Sequence, residues 1–181
     1  MEEEIVIESR YWKEDLAAYA RRFKPVSKPL RYTEKRQVNF EKDVIISLFM
    51  VRKLTEAKKL SSRTTSKQFN VYGSKCIKPV NSFNFWNIDE LYDLSKEDKL
   101  TKTVQFIANQ LVHGSALYAY RDKDRNWGGV YTCSDFERHK YVYKIPVTTI
   151  IEILEIASED YPTEIHYDYN EGKGDYSVTT D

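Results

Sequence analysis

The stretch from Ser95 to His113 places the strongest constraint on how this chain folds. At about 100° per residue its apolar residues share one side of a helix; they are Val104, Ile107, Ala108 and Leu111. Ser95 followed by Asp98 is typical of a capping box, and Gly114 suits the left-handed conformation that often ends a helix. The pattern predicts a single helix over residues 95–113.

The other side of this predicted helix carries Phe106, Asn109, Gln110 and His113, where an exposed face would normally carry charged residues. We therefore expect both sides of the helix to be covered. The two amides and the imidazole are expected to face a polar surface inside the protein.

The length and charge indicate one globular domain over residues 1–181, which is long enough to bury a core. Because the 28 basic residues equal the 28 acidic ones, no net charge draws the chain to nucleic acid or anionic lipid, although a local basic patch is possible. The acidic start MEEEIVIES is unlike a signal peptide, and the longest apolar run, Val44–Val51, is too short to span a bilayer. We expect a cytoplasmic protein. Cys76 and Cys133 are expected to be reduced thiols, with a single disulfide as the alternative.

Helical periodicity predominates before residue 61. Ser9–Phe23 predicts an amphipathic helix that Pro25 and Pro29 stop, and Glu4–Glu8 before it predicts a short strand. Thr33–Leu60 predicts the longest helix. Its apolar middle predicts that this helix is the central buried rod of the fold.

The segment from Gln68 to Leu94 has weaker signals. Gln68–Tyr72 and Cys76–Val80 predict short strands, which Gly73 and Pro79 would make edge strands. Asn87 begins a predicted helical turn that runs to about Leu94 and leads into the helix at Ser95.

After Gly114 the period changes from helical to two. The predicted strands are Ala116–Arg121, Gly128–Ser134, Lys140–Ile145, Glu164–Tyr169 and Asp175–Thr179. Between them, Val147–Ala157 predicts one helix. The fold class is therefore α+β, with N-terminal helices, one of them long and buried, packed on a mostly antiparallel, tyrosine-rich sheet that one helix interrupts.

Three predicted strands carry the pattern Tyr-x-Tyr, which places both rings of a pair on one face. The pairs are Tyr118/Tyr120, Tyr141/Tyr143 and Tyr167/Tyr169. One interpretation is an exposed platform on which the bases of a single-stranded nucleic acid stack. The interpretation that we favour packs the tyrosines on the helices, because Ile145 and Ile165 share their faces. The buried hydroxyl groups would then bond to Asn109, Gln110 and His113.

His113 is the strongest candidate for chemistry, since a histidine at the end of a buried helix could act as a general acid or base. The alternative is a hydrogen-bonded core histidine. Arg121, Arg125 and Arg138–Lys140 form a modest basic cluster near the ends of the hairpin.

The loop Asp122–Gly128 resembles the start of a calcium loop but has Trp127 at the glycine position and Cys133 where the loop requires glutamate. We therefore predict a hairpin turn there, with a weak cation site formed by Asp122, Asp124 and Asn126 as the alternative. The sequence predicts no metal site and no cofactor.

Three stretches are similar to a group of small uncharacterised bacterial proteins, and the resemblance implies no particular activity. They are FEKDVIISLFMVRKLTEAKKL, FIANQLVHGS and SDFERHKYVYKIPVTTIIEIL. Asn109–His113 also resembles the Arg-Asn-x-x-x-His helix of HEPN nucleases, which are metal-independent ribonucleases. That resemblance implies His113 as the acid or base and Asn109 as its orienting group, although Ala108 occupies the arginine position.

Because no catalytic constellation is complete, the function that we expect is a non-enzymatic binding domain with a protein or nucleic-acid partner. The expected binding residues are Gln110, Tyr118, Tyr120, Arg121, Arg138, Tyr141 and Tyr143. The alternative is a HEPN-like ribonuclease centred on His113 and Asn109, with Arg121 or Arg138 as the cation.

Overall fold

The computed structural model describes residues 8–181, apart from the side chain of Ser115, and confirms the α+β class. The helices of this part of the chain are α1 (Ser9–Phe23), α2 (Glu34–Glu56), α3 (Ser62–Ser66), α4 (Ile88–Leu91), α5 (Val104–Val112) and α6 (Val147–Glu159). Its strands are β1 (Gln68–Cys76), β2 (Tyr92–Thr103), β3 (Gly114–Arg121), β4 (Trp127–Ser134), β5 (Tyr141–Pro146), β6 (Ile165–Asn170) and β7 (Asp175–Thr180). The strand predicted at Glu4–Glu8 lies outside the described residues, except for Glu8.

Five strands form one sheet in the order β2-β1-β5-β4-β3, and each neighbouring pair is antiparallel. Helices α1, α2, α5 and α6 pack on one side of it, which we call the inner face, around a core that includes Leu48, Ile107, Val130 and Ile150. Strands β6 and β7 form a separate antiparallel hairpin. Nowhere in residues 8–181 is there a helix with both the length and the apolar character needed to cross a bilayer.

The other side of the sheet, the outer face, is covered over part of its area by residues 77–94. Leu91 and Tyr92 of this segment pack against Ala116, Cys133 and Val142, which project from the outer face of three strands. The sheet is therefore covered on one side by helices and partly covered on the other by this segment, which includes α4 and the start of β2.

The helix predicted over residues 95–113 is wrong in its first half. Residues Tyr92–Thr103 form β2, which pairs with β1 from Gln68 to Ser74, and the true N-cap of α5 is Thr103, whose hydroxyl accepts from Phe106 N at 3.3 Å. Ser95 donates to Asp93 instead of capping a helix. A strand rich in Lys, Glu and Asp is suitable for the exposed edge of a sheet, and pairing with β1 overrides the helical preference of these residues. The turn predicted to run to Leu94 accordingly ends at Leu91, as α4.

Gly114 does not form the predicted left-handed cap. The C-cap of α5 is His113, with φ of −108°, and Gly114 begins β3 directly. Glycine is needed there for close approach, since a Cβ would lie 2.3 Å from the Gln110 carbonyl oxygen.

The first of the two edge strands predicted between Gln68 and Val80 is longer than predicted and forms β1, which lies inside the sheet between β2 and β5. The second, predicted at Cys76–Val80, is wrong, because residues 77–80 form no strand. The long helix also differs from its prediction. It ends at Glu56 rather than Leu60, and it is buried on one side only, because Ile45, Ile46 and Phe49 are 37–40% exposed. No element of the described chain covers that side, so α2 is not a central rod.

The remaining predicted elements are confirmed to within a few residues: α1, α6, and the strands β3 to β7. The hairpin turn predicted at Asp122–Gly128 is also confirmed. Asp122 Oδ1 accepts from the backbone N–H groups of Asp124 and Asn126, at 2.9 Å each. In this loop, which is similar in sequence to the start of a calcium loop, the Asp122 carboxylate therefore binds backbone N–H groups. These two hydrogen bonds stabilise the turn.

Candidate functional site

A cavity of about 330 Å³ lies where α1, α2 and the β3–β4 hairpin meet, and we call it the arginine pocket. Its apolar lining consists of Phe23, Val26, Pro29, Leu30, Phe40 and Trp127. Its cationic lining consists of Arg22, Lys24, Arg36 and Arg121. Cavities of roughly 300–1,000 Å³ with apolar walls and a few polar groups are typical small-molecule sites.

The roof of the pocket is the connection between α1 and α2, residues 24–33, which we call the basic strap. Asn126 holds it with two hydrogen bonds, accepting from Val26 N at 2.9 Å and donating to Val26 O at 3.2 Å. Arg121 Nη2 donates to Leu30 O at 3.2 Å. Residues of the β3–β4 hairpin thus position a segment that lies far away in the sequence.

The floor of the pocket is a chain of aromatic contacts. The rings of Phe23 and Phe40 meet edge to face at 5.3 Å, and Phe40 stacks on Trp127 at 4.8 Å with an interplanar angle of 11°. The Arg121 guanidinium lies over the indole, with its Cζ 5.0 Å from the ring centroid. Packing of this kind keeps the guanidinium in place without a carboxylate.

The charges of the pocket are only partly compensated. Arg22 pairs with Asp43 at 2.7 Å and Lys24 pairs with Glu155 at 2.7 Å. Within residues 8–181, by contrast, neither Arg36 nor Arg121 forms an ion pair; their partners there are backbone carbonyls. Arg121 Nε is buried and has no hydrogen-bond partner in that range. The pocket therefore presents excess positive charge beside apolar walls.

This lining fits an organic anion better than a metal or a catalytic reaction. Among the lining residues that belong to the described part of the chain, Asp43 is the only carboxylate, and Arg22 already binds it. The same residues include no histidine, cysteine or serine. Across residues 8–181, no three His, Cys, Asp or Glu side chains come together as metal ligands would. An apolar floor with two available guanidinium groups suits a carboxylate, sulfonate or phosphate attached to an apolar body.

His113 lies elsewhere, and its predicted surroundings are wrong. It is exposed at the end of α5, and its Nε2 lies 3.2 Å from Arg52 Nη1. Asn109 accepts from Gln105 Nε2 at 3.2 Å, so its amide is engaged along the helix. The expected hydrogen bonds between the imidazole and the tyrosines do not form. Because α5 buries its apolar side against the core, His113 at its C-terminal end faces α2 and solvent.

Gln110 is buried and has a structural partner. Its Oε1 accepts from Ser134 N at 2.9 Å, and its backbone carbonyl accepts from the hydroxyl of Thr132. These bonds join α5 to β4. The residue was expected to bind a partner, and the structure places it inside the protein.

The tyrosines do not share one surface. Tyr143 is buried on the inner face, edge to face with Phe106 at 5.2 Å, and Tyr141 lies beside it. For this pair the prediction that tyrosines pack on helices is confirmed. Tyr118 and Tyr120 project from the outer face instead, and Tyr167 and Tyr169 are exposed on the β6–β7 hairpin. Packing on the helices is therefore wrong for these two pairs.

The outer-face tyrosines gather around one lysine. Lys144 Nζ lies 5.3 Å from the ring of Tyr120 and 5.9 Å from that of Tyr131, and it binds Glu97 at 2.9 Å. Burial disfavours the charged form of Lys144, but the hydrogen bond and charge of Glu97 outweigh it and raise the pKa. For Tyr120, whose charged form is the anion, burial raises the pKa. A nucleic-acid backbone binds to free cations, and Glu97 already neutralises the lysine that these rings surround.

The predicted basic cluster is divided between two places. Arg121 lies at the arginine pocket beside Trp127, where the β3–β4 hairpin turns. Arg138 follows the opposite end of β4 and pairs with Asp135 at 3.4 Å. An eight-residue strand is about 27 Å long, so the two arginines cannot act on one ligand.

Sequence reasoning found Arg121 but missed Arg36, Phe40, Asn126 and the strap. The one available signal is the basic, proline-containing segment from Lys24 to Thr33, whose prolines predict only that the first helix ends there. A comparison of the chain with protein-family profiles, with curated proteins and with solved structures found no match. The fold and the pocket thus define an α+β protein with a cationic, aromatic-floored cavity.

Proposed function

We propose that this protein is a non-enzymatic binding domain and that its ligand site is the arginine pocket. The observation that carries the proposal is the position of Arg36 and Arg121 at an apolar cavity, without an ion pair in residues 8–181. A charge held against apolar walls gains most from an anionic partner, because the low dielectric strengthens their attraction.

The ligand class is a small organic anion with an aromatic or aliphatic body. The volume of about 330 Å³ accommodates a small molecule, not a nucleic-acid strand. The Phe23–Phe40–Trp127 floor contacts the body, and the guanidinium groups of Arg36 and Arg121 bind the anionic group. The strap, tied to Asn126, closes the site from above.

The test uses 1-anilinonaphthalene-8-sulfonate, which combines a sulfonate with an aromatic body and fluoresces when it leaves water. We expect one site per chain, and we expect the Arg36→Gln variant to bind about 10-fold more weakly, since a charge-assisted hydrogen bond contributes roughly 1.5–3 kcal/mol. The Arg121→Met variant is expected to lose at least as much. Arg21→Gln is the matched control, because this exposed arginine of α1 does not line the pocket.

A neutral analogue, N-phenyl-1-naphthylamine, separates charge recognition from hydrophobic adsorption. It has the same aromatic body without the sulfonate, so the proposal requires weaker binding by about 10-fold or more. Equal affinities for the two probes, or unchanged sulfonate binding in the Arg36 variant, would reject the proposal. Circular dichroism checks that each variant is folded; if Arg121→Met is not, the Arg36 variant decides.

A second candidate is metal-independent RNA cleavage at His113, which the distance of 3.2 Å between His113 Nε2 and Arg52 Nη1 favours. A cation beside an exposed imidazole offers charge stabilisation and proton transfer at a scissile phosphate. Cleavage of a fluorogenic oligoribonucleotide that disappears in a folded His113→Ala variant would support it. A wild-type protein that leaves the oligoribonucleotide intact rejects it.

A further inference from the structure

We infer that this protein self-associates, with the β6–β7 hairpin of one copy docking on the basic strap of another. Residues 164–181, which we call the acidic arm, contain five carboxylates and one lysine, a net charge of −4 with histidine neutral. Since the whole chain has no net charge, the remaining residues carry +4. The basic strap, residues 24–33, contains three of the cations and no carboxylate.

The acidic arm presents an uncovered aromatic surface. The cross-strand pairs place Tyr167 and Tyr169 on the same side as Tyr176 and Val178, and the Tyr169 and Tyr176 rings are in contact at 5.1 Å. The three tyrosines are 58–64% exposed. A contiguous aromatic surface of this kind, with polar residues on the opposite side, is typical of a protein-interaction site.

The arm is fastened to the body of the protein at its base. Thr180 is buried, and its hydroxyl donates to Leu60 O at 2.8 Å. Its backbone N–H donates to the hydroxyl oxygen of Ser62 at 3.0 Å. A two-stranded hairpin gains little stability by itself in water. A partner that covers the aromatic side would therefore stabilise the arm as well as bind it.

The basic strap is complementary to the arm in both charge and polarity. Its Val26, Leu30 and Tyr32 side chains are 52–68% exposed, and they alternate with Lys28 and Arg31, which form no ion pair within residues 8–181. Apolar residues of the strap can cover the tyrosine side of the arm. The long side chains of Lys28 and Arg31 can reach around a ribbon only two strands wide, towards its carboxylates.

The contact has to form between two copies. The arm joins the body beside Leu60 and Ser62, beyond the C-terminal end of α2, whereas the strap leads into the N-terminal end of the same helix. A helix of 23 residues is about 34 Å long and a six-residue strand only about 20 Å. An arm-to-strap interface is heterologous, so it extends head to tail or closes into a ring.

Multi-angle light scattering after size-exclusion chromatography tests this directly. We expect the wild-type mass to exceed 21.4 kDa, to rise with protein concentration and to fall at high salt, because screening weakens the attraction between charges. The arm variant Tyr167→Ser/Tyr169→Ser and the strap variant Lys28→Glu/Arg31→Glu should each be monomeric. Neither pair of residues lines the arginine pocket, so sulfonate binding should stay unchanged in both, and the two proposals can fail separately.

Mixing the two variants gives the decisive result. The strap variant keeps an intact arm and the arm variant keeps an intact strap, so the mixture should form a complex of twice 21.4 kDa and nothing larger. A monomeric wild type at every concentration overturns the inference. Self-association that persists in the arm variant, or a mixture of folded variants that stays monomeric, also overturns it.

Discussion

The ammonium group of Lys13 lies 3.8 Å from the centroid of the Tyr161 ring. Nζ also donates to the backbone carbonyls of Lys59 and Asp160, which follow the C-terminal ends of α2 and α6. The side chain is buried although it is a lysine. One residue of α1 therefore ties the ends of two other helices together.

Replacing Lys13 by methionine should destabilise the protein by roughly 2 kcal/mol or more. The methionine keeps the apolar contacts of the stem but leaves two carbonyls without their donor, and an unsatisfied buried group costs about 1–3 kcal/mol. Urea unfolding measures the loss. The control is Lys99→Met at an exposed position of β2, where we expect a change within about 0.5 kcal/mol. Equal midpoints for the two variants would contradict the role of Lys13.

Tyr143 should make the protein sensitive to alkaline pH. Burial raises the pKa of its phenol above the ordinary value of 10.0, and the hydrogen bond to Glu137, 2.7 Å long, acts in the same direction. The unfolded chain therefore loses this proton first, so the contribution of Tyr143 to stability is complete below pH 10 and is lost as the pH rises further.

The Tyr143→Phe variant has no phenol to ionise. We expect the difference in melting temperature between it and the wild type to shrink between about pH 9 and about pH 11. Tyr167→Phe, at an exposed position of the acidic arm, is the control and should show no such trend. If the difference in melting temperature between Tyr143→Phe and the wild type stays constant across this range, ionisation of the buried phenol does not cause the loss of stability at alkaline pH.

Asn126 should keep the basic strap closed over the arginine pocket. Asn126→Ala removes both hydrogen bonds to Val26, each of which contributes about 0.5–1.5 kcal/mol. We expect several-fold faster tryptic cleavage after Arg31 in the strap, read by mass spectrometry. Asn87→Ala, which changes an exposed asparagine whose side chain makes no capping bond, should leave the cleavage rate unchanged; a parallel increase there would mean a general loss of stability.

Gly129 should not tolerate alanine. Its φ of +144° is a conformation that side chains rarely adopt, and a Cβ would lie 2.1 Å from the Ile145 carbonyl oxygen in the neighbouring strand β5. We expect Gly129→Ala to lower the free energy of unfolding by about 3 kcal/mol or more. Alanine is strained at this φ, and its Cβ would also push β4 away from β5. Gly172→Ala, in the β6–β7 turn with a nearest contact of 3.4 Å, should be almost neutral. Thermal unfolding of both variants tests the contrast.

The two cysteines should differ in reactivity. Burial raises the pKa of the Cys133 thiol, which lies 3.6 Å from the Tyr92 hydroxyl, whereas Cys76 is partly exposed. Since the thiolate is the reactive species, iodoacetamide should label Cys76 in the folded protein and reach Cys133 only after denaturation in urea. Equal labelling of the two in the folded state would contradict the burial of Cys133.

Much of the fold could be predicted because its signals are local. The helical periods of α1 and α6 reflect the burial of one side of each helix, and neighbouring residues are sufficient to record that. Of the candidate site, Arg121 could be predicted from a charge next to a turn. Its contact with the strap could not, because nothing near Arg121 in the sequence shows that the Leu30 carbonyl lies against it.

The sequence by itself determined the fold class, the first helix and the elements after Gly114, since the periodicity of each of these elements is contained within its own segment. Only the tertiary structure decided that residues 92–103 form a strand: a segment rich in Lys and Glu is compatible with a helix or with an edge strand, and its pairing with β1 settles the choice. Tertiary structure also brought Arg36, Arg121 and the strap around one cavity. Contacts between distant segments depend on how whole elements pack, and no local pattern encodes them.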